Sequence, residues 1–283
     1  MLRTKLLTLS AVTAAAALSL TACAPSSSQG GGGDAAGSSS AGESTSSGSG
    51  ESLRIGIKFD QPGLGYREGS AQPTGFDTDV ARYVADKLGV AEKDIEWVQT
   101  PSANRENALE NGEVDMIFAT YSITDARKER VDFAGPYFVA GQDLLVRADD
   151  TAITGPESLD GKNLCSVTGS TSAQKIKDQF ASGVNLVEQG GYAECVTYLE
   201  SGQVDAVTTD DIILAGLAAA DANKGKFKVV GQPFTTERYG VGLPKGDTVL
   251  KDHINALFND GGDVWTALFE KNLAPAGIEG EQP

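Results

Sequence analysis

Along residues 53–273, short apolar runs alternate with longer stretches in which apolar residues recur every three or four positions. Leu53-Arg-Ile-Gly-Ile57 reads as a strand. Asp77 to Leu88 reads as a helix, with Val80, Tyr83, Val84 and Leu88 on one face, Asp77 placed to cap it and Gly89 to end it. Ile95–Val98 reads as a strand, Ser102–Glu110 as a short helix stopped by Asn111-Gly112, and Val114–Ala119 as a buried strand. The rhythm then recurs: strand Leu164–Val167, helix Ser172–Ala181, strand Val184–Val187, helix Tyr192–Glu200, strand Val204–Thr208 and helix Asp211–Ala220. Strands alternating with helices predict an α/β fold with mostly parallel sheets.

One internal echo sharpens this. Leu109-Glu-Asn-Gly-Glu-Val-Asp115 matches Leu199-Glu-Ser-Gly-Gln-Val-Asp205, and both sit between a helix and a strand. The offset suits two lobes of related construction. Ligands of open α/β sheets sit beyond the carboxyl ends of the strands, so Thr120–Arg127 after the first copy and Thr209-Asp210-Asp211 after the second are expected to meet across a cleft. Tyr239–Leu243 and helices at Thr248–Phe258 and Val264–Asn272 are expected to return to the first lobe. Crossings near Gly141–Arg147 and Pro233–Tyr239 then form a two-strand hinge.

The N-terminus is not fold. Arg3 and Lys5 precede an apolar run, Leu6 to Leu20, that suits a signal-peptide core and is short for a membrane span. Leu20-Thr21-Ala22-Cys23 follows, the pattern of a bacterial lipoprotein cleavage site; the alternative is an ordinary signal peptide that happens to contain a cysteine. Cleavage leaves Cys23 first, to be lipidated, and diacylation anchors better than one chain. Residues 24–50 are almost wholly Gly, Ser, Ala and Thr and have no large apolar residue to bury, which predicts a flexible tether. Losing the leader, with its two basic and no acidic residues, takes the net charge from −16 to −18. Such acidity argues against a nucleic-acid partner. With Cys23 lipidated, Cys165 and Cys195 remain, and two cysteines in an exported domain predict a disulfide over two buried thiols.

Several residues carry candidate chemistry, each beside a plainer reading. Arg127 follows a strand and a polar loop, where it could fork onto a carboxylate or pair at the surface with Asp125 or Glu129. Thr168-Gly-Ser-Thr-Ser172 lies between a strand and a helix, an anion seat or simple N-capping by Ser172. Asp210 at a helix start could hold an ammonium or cap the helix. Lys58 ends the first strand and Arg105 begins a helix; on their own both read as solvated cations. Catalytic signals are lacking. His253 is the single histidine, and there is no Walker A, dinucleotide Gly motif or Cys-x-x-Cys.

Six segments in order resemble one family: Gly75-Phe-Asp-Thr-Asp-Val80, Gly112-Glu-Val-Asp115, Ser122-Ile-Thr-Asp-Ala-Arg127, Val131-Asp-Phe-Ala-Gly-Pro-Tyr137, Gly169-Ser-Thr-Ser172 and Val204-Asp-Ala-Val-Thr-Thr-Asp210. They resemble the family 3 solute-binding proteins of ABC importers for polar amino acids. The resemblance implies a type II periplasmic-binding-protein fold: two lobes, each a mostly parallel sheet flanked by helices, closing on a ligand about a two-strand hinge. It implies that Arg127, with Ser122, Ser170 and Thr171, clamps an α-carboxylate, that Asp210 takes the α-ammonium, and that Thr120 lines the same wall. Ala119 offers only its backbone there. Ser102-Ala-Asn-Arg105 resembles the segment of glutamate/aspartate binders whose Arg meets the distal carboxylate. Lys58 falls where those proteins carry a basic residue, and Tyr192 approaches the ligand from the second lobe. The segment Ile57–Gly65 is similar to that of glutamate-binding lipoproteins.

The resulting expectation is a lipid-anchored binding protein of the extracytoplasmic face of the cell membrane, not an enzyme, without cofactor or metal, acting as a monomer. It captures glutamate or aspartate and delivers it to permease subunits. Its segments are a leader at 1–22, a lipidated linker at 23–50, a first lobe at 51–142 and 237–283, and a second lobe at 143–236. Three cations, Lys58, Arg105 and Arg127, against Asp210 suit a ligand with two carboxylates and one ammonium. The rival readings are a dehydratase-like enzyme of the same fold and an amino-acid sensor.

Overall fold

The structure is a computed structural model that describes residues 52–179, 183–278 and 283. The leader, Cys23, the tether and the end of the helix expected at Ser172–Ala181 lie outside these residues.

The chain opens with β1 (Leu53–Ile57), a small hairpin of β2 (Asp60–Gln61) and β3 (Gly65–Tyr66), and helix α1 (Phe76–Lys87). Then come β4 (Ile95–Gln99), α2 (Arg105–Glu110), β5 (Met116–Phe118), the short α3 (Asp125–Lys128) and β6 (Asp132–Ala140). A second run follows: β7 (Gln142–Arg147), β8 (Asn163–Val167), α4 (Ser172–Gln179), β9 (Asn185–Gln189), α5 (Tyr192–Glu200), β10 (Ala206–Asp210), α6 (Asp211–Ala219) and β11 (Phe227–Val229). β12 (Glu237–Leu243), α7 (Thr248–Asp260) and α8 (Gly262–Asn272) close the chain.

Two five-stranded sheets result, ordered β4-β1-β5-β12-β6 and β11-β7-β10-β8-β9. Read from β4 and from β9 they are the same sheet built twice. In each, three strands pair in parallel and one strand runs against its two neighbours. The odd strand is β12 in the first and β7 in the second. These are the strands that enter each lobe from the other, so the antiparallel exception in each sheet is a consequence of the two crossings. The chain leaves the first sheet at Gly141 and returns through residues 230–236. The two crossing segments bond to each other: Phe234 N donates to Gln142 O at 3.0 Å, and Gln142 N to Thr235 Oγ1 at 3.1 Å. This is the two-strand hinge.

The repeated Gly-x-Val-Asp motif has one physical role in both lobes. Asp115 N donates to Arg54 O and Asp115 Oδ2 accepts from Arg54 N, each at 2.8 Å. Asp205 does the same with Asn163, again at 2.8 Å in both directions. Each aspartate thus pins the start of the strand at the matching place in its sheet, β1 in the first lobe and β8 in the second. The preceding Gly112 and Gly202 have φ of 64° and 73°, which a helix C-terminus needs and glycine adopts without strain.

Apolar faces bury as their spacing dictates. Val80 and Val84, one turn apart on α1, pack with Ile55, Ile57, Phe118 and Leu243. Tyr137, Phe138, Tyr239, Trp265 and Phe269 extend this core as an aromatic cluster. Asp77 is not the cap of α1. Gly75 is the N-cap residue and offers no side chain, while Asp77 lies fully buried in the first turn. The expected strand Val114–Ala119 narrows to Met116–Phe118, because the flanking residues are spent on the Asp115 clamp and the loop into the cleft. Cys165 on β8 and Cys195 on α5 are joined by a disulfide within the second lobe, with Cα atoms 5.6 Å apart.

Candidate ligand-binding site

A cavity lies between the lobes, where β5 and β10 end and where α4 and α5 begin. It is lined by Ser102, Arg105, Thr120, Ser122 and Arg127 from the first lobe and by Ser170, Thr171, Tyr192 and Asp210 from the second. All nine were named from sequence. Lys58 was too, but it lies outside the lining and faces a neighbouring cleft with Asp60, Gln99 and Glu194. Its ammonium donates to Ser102 Oγ at 2.7 Å, so it stands one hydrogen bond behind the cavity wall. Ser172, Thr209 and Ile213 complete the lining. Ser172 and Thr209 lie in segments read from sequence, the anion seat or cap and the loop expected at the cleft, but neither was singled out as a ligand contact, and Ile213 was read only as part of a helix.

Arg127 is buried, which rules out the surface pairing with Asp125 or Glu129. Its Nε pairs with Glu106 at 3.3 Å, Nη1 donates to Ser122 O at 2.7 Å, and Nη2 donates to Gly169 O at 3.2 Å. A guanidinium has five N–H groups, so one remains on each terminal nitrogen, enough to fork onto a carboxylate. The Gly169 bond crosses between lobes, so the structure shows them closed. Thr124 holds the Arg127 backbone by accepting from its N–H as the N-cap of α3.

Arg105 differs in having no acidic partner. Its Nη1 donates to Ala119 O at 3.0 Å and Thr120 O at 3.4 Å, while Nε is buried without a partner. Among the described residues no carboxylate lies within ion-pair distance of it. Burial, and then the nearby Arg127, pull its pKa down to about 10. Both guanidiniums lie over the Tyr121 ring, at 4.2 and 5.0 Å from its centroid, a favourable stacking for Arg. Tyr121 also donates to Glu106 at 2.7 Å. Lys58 is buried as well; desolvation, and then Arg105, bring its pKa to about 7.

Asp210 ends β10 and stands at the N-cap of α6, but its side chain makes no capping bond. Its carboxylate accepts from the Tyr239 hydroxyl of β12. Burial and the neighbouring Glu237 push its pKa up to about 7. No cation pairs with it among the described residues. Tyr192 bonds the Thr209 hydroxyl at 2.7 Å beside it.

Thr120 connects these groups. Its φ of 45° is the one left-handed value among the described non-glycine residues, and for a β-branched residue this is strained. Asp77 Oδ2 accepts from Thr120 N at 2.8 Å, Arg105 bonds the Thr120 carbonyl, and Gln61 accepts from its hydroxyl at 3.2 Å. Asp77 also accepts from Tyr137 at 2.9 Å, and burial raises its pKa to about 6. The binding loop is therefore held in a strained form by buried polar contacts from α1 and α2. Chemically, the cavity offers two guanidinium edges on one wall and one unpaired carboxylate on the other. It suits a zwitterion with an additional anionic group.

The family model of bacterial extracellular solute-binding proteins, family 3, matches residues 53–262. The glutamate-binding protein GluB of Corynebacterium efficiens is 51% identical over 215 residues, covering 72% of each chain. GluB of Corynebacterium glutamicum is 46% identical over 245 residues, covering 82% of this chain and 81% of its own. Among solved structures, an ancestral arginine-binding protein bound to glutamine matches with a TM-score of 0.72 and 33% identity, over 78% of this chain and 97% of that one.

Proposed function

The chain belongs to the bacterial extracellular solute-binding proteins, family 3, and on that premise we propose that it captures glutamate, or its shorter homologue aspartate, between its lobes for delivery to an ABC permease. The observation that carries this reading is Arg105, a buried guanidinium with an unbonded Nε and no carboxylate partner among the described residues, in the same cavity as a second arginine. A buried charge left unpaired is costly. A ligand carboxylate at Arg105 removes that cost, while Arg127, with Ser122, Ser170 and Thr171, takes a second carboxylate. Asp210 takes the ammonium. Lys58 adds positive potential through Ser102. Glutamine would leave Arg105 opposite a neutral amide, and arginine would oppose like charges.

The same reading gives the chain a lipid on Cys23 that holds it, as a monomer, at the outer face of the cell membrane. The leader ending at Ala22 supports this, and the Gly/Ser-rich segment supplies the reach. Calorimetric titration of the purified chain with glutamate, aspartate, glutamine and arginine tests the ligand assignment. Preference for an acidic amino acid is the expected result. Tightest binding of glutamine or arginine refutes the side-chain pocket, and no binding of any amino acid refutes the function.

A further inference from the structure

Helix α5 begins at Tyr192, a residue of the cavity wall, yet its N-cap is Gly191, which has no side chain to bond the first-turn N–H groups. The missing acceptor comes from the other lobe. Asp60 Oδ2, on β2, accepts from Tyr192 N at 2.8 Å. The fit is close: a Cβ on Gly191 would lie 2.5 Å from that same oxygen, so any larger residue would push the carboxylate away. Asp60 is not part of the cavity lining; it lies in the adjoining cleft. A carboxylate at a helix N-terminus also meets the positive end of the helix dipole. Asp60 and Tyr192 are 132 residues apart in the chain and belong to lobes joined through the hinge. Opening at that hinge separates them.

We propose that Asp60 is a positioning residue for ligand capture: a helix cap supplied by one lobe to the other, made only on closure, that holds Tyr192 against the bound ligand and slows its release. The proposal rests on the reading that the cleft takes its ligand by closing. A contact present in the closed state alone favours that state by its full strength. Loss of a capping carboxylate corresponds to roughly a 5- to 30-fold change in an equilibrium. Because Asp60 does not touch the ligand, the change falls on release, and equally for every amino acid the cleft holds.

The test uses the full chain with Asp60→Ala and Asp60→Asn, stopped-flow kinetics with L-glutamate and L-aspartate, and hydrogen exchange at the Tyr192 amide. In Asp60→Ala, release is expected to quicken roughly 5- to 30-fold for both ligands with association nearly unchanged, and the Tyr192 amide to lose protection. Asp60→Asn keeps an oxygen acceptor and is expected to recover most of both. Unchanged release in Asp60→Ala, a change confined to one ligand, or an Asn variant no better than Ala overturns the proposal. If the parent chain binds neither amino acid, the proposed function fails. Exchange tests the cap separately: in the parent the Tyr192 amide is expected to gain protection on binding L-glutamate or L-aspartate, and an equal gain in Asp60→Ala overturns the cap while leaving the proposed function standing.

Discussion

Replacing Arg105 with Met separates the cost of the site from its use. Arg105 is 2% exposed, and its pKa of about 10 reflects chiefly burial. At 1.36 kcal/mol per pH unit, keeping that charge in place costs the ligand-free protein roughly 3 kcal/mol. Its donations to Ala119 O and Thr120 O offset this, at about 1.5–3 kcal/mol for a charged donor. Methionine keeps an apolar stem under Tyr121 and removes both terms, so the two effects nearly cancel. The ligand-free variant is expected to melt within a few degrees of the parent. Binding behaves differently. Without the guanidinium, a distal carboxylate would be buried opposite nothing, and breaking a buried ion pair from one side costs about 3–5 kcal/mol. That is roughly two to four orders of magnitude in affinity for glutamate. Glutamine, whose amide gains little from Arg105, should change by less than about tenfold on the same reasoning. The assay is paired calorimetric titration with both ligands, alongside thermal melting without ligand. Equal losses for glutamate and glutamine would refute the assignment of Arg105 to the distal carboxylate. Collapse of the ligand-free fold would refute the cancellation.

Other expectations follow from the same contacts. Removing Asp77 by Asp77→Ala strands two buried donors, Thr120 N and the Tyr137 hydroxyl. Denaturant titration should show a loss of roughly 2–5 kcal/mol, and a loss below 1 kcal/mol would mean the loop does not depend on this brace. Replacing Cys165 and Cys195 with Ala opens a loop closed over a separation of 30 residues, worth about 3–4 kcal/mol on a chain-entropy basis. Stability should fall by that order while glutamate affinity at low temperature is kept. Two titratable thiols in the unreduced, unfolded parent would sink the disulfide. The pH dependence has two limbs. Asp210, raised to about 7, binds a proton in the folded state that the unfolded chain has released above pH 4, so ligand-free stability falls as pH rises from about 4 to 7. Lys58, lowered to about 7, is deprotonated when folded while the unfolded lysine still holds its proton, so stability rises from about pH 7 to 10. These two groups predict a dip in ligand-free stability near pH 7. Glutamate affinity should peak there, because Asp210 must be ionised and Lys58 protonated; as the control, Asp210→Asn should lose the acid limb alone and Lys58→Met the alkaline limb alone. Cys23→Ser should abolish incorporation of labelled palmitate, and persistent labelling would place the lipid elsewhere.

What was legible in the sequence was whatever is written locally or repeated. Helix α5 was read to the residue, because its apolar spacing runs unbroken from Tyr192 to a stop at Gly202. The doubled Gly-x-Val-Asp motif was legible as a repeat, and the structure supplies its reason, a clamp on the start of β1 in one lobe and of β8 in the other. Strand β6 was not identified. Gly135 and Pro136 interrupt its alternation, and its identity comes from pairing with β12, some 100 residues away in the chain. Charged residues of the cavity were found because their types and neighbouring residues carry a recognisable pattern. The groups that hold them were not. Glu106, Tyr121, Asp77 and Tyr239 act through contacts whose partners are fixed only by the fold: Asp77 reaches Thr120 from 43 residues away, and Tyr239 reaches Asp210 from the other lobe. Asp77 was misassigned for the same reason. An aspartate at a helix start is locally a cap, and only the arrival of β5 gives it a different donor.

The two lobes share one topology but divide the charges unequally, and this division explains how closure is tied to ligand. The buried cations Lys58, Arg105 and Arg127 all come from the first lobe, and the unpaired carboxylate Asp210 comes from the second. Had both signs stood on one wall, they would pair with each other and the empty cavity would be neutral. Set on opposing walls, they approach only as the lobes close. In the closed arrangement without ligand both are buried and, among the described residues, neither has a partner of opposite charge: Arg105 has only the Ala119 and Thr120 carbonyls and Asp210 only the Tyr239 hydroxyl, and burial lowers the pKa of the one and raises that of the other. Closing on nothing therefore carries an electrostatic cost that the contacts between the walls, Tyr239 to Asp210 and Arg127 to Gly169 O, offset only in part. Glu106 relieves it for Arg127 alone. A simple anion would satisfy the first wall and leave Asp210 buried, and a simple cation would do the reverse. Only a ligand carrying both signs lowers the closed state on both walls at once. By linkage, such a ligand shifts the lobes shut by as much as its affinities for the two states differ.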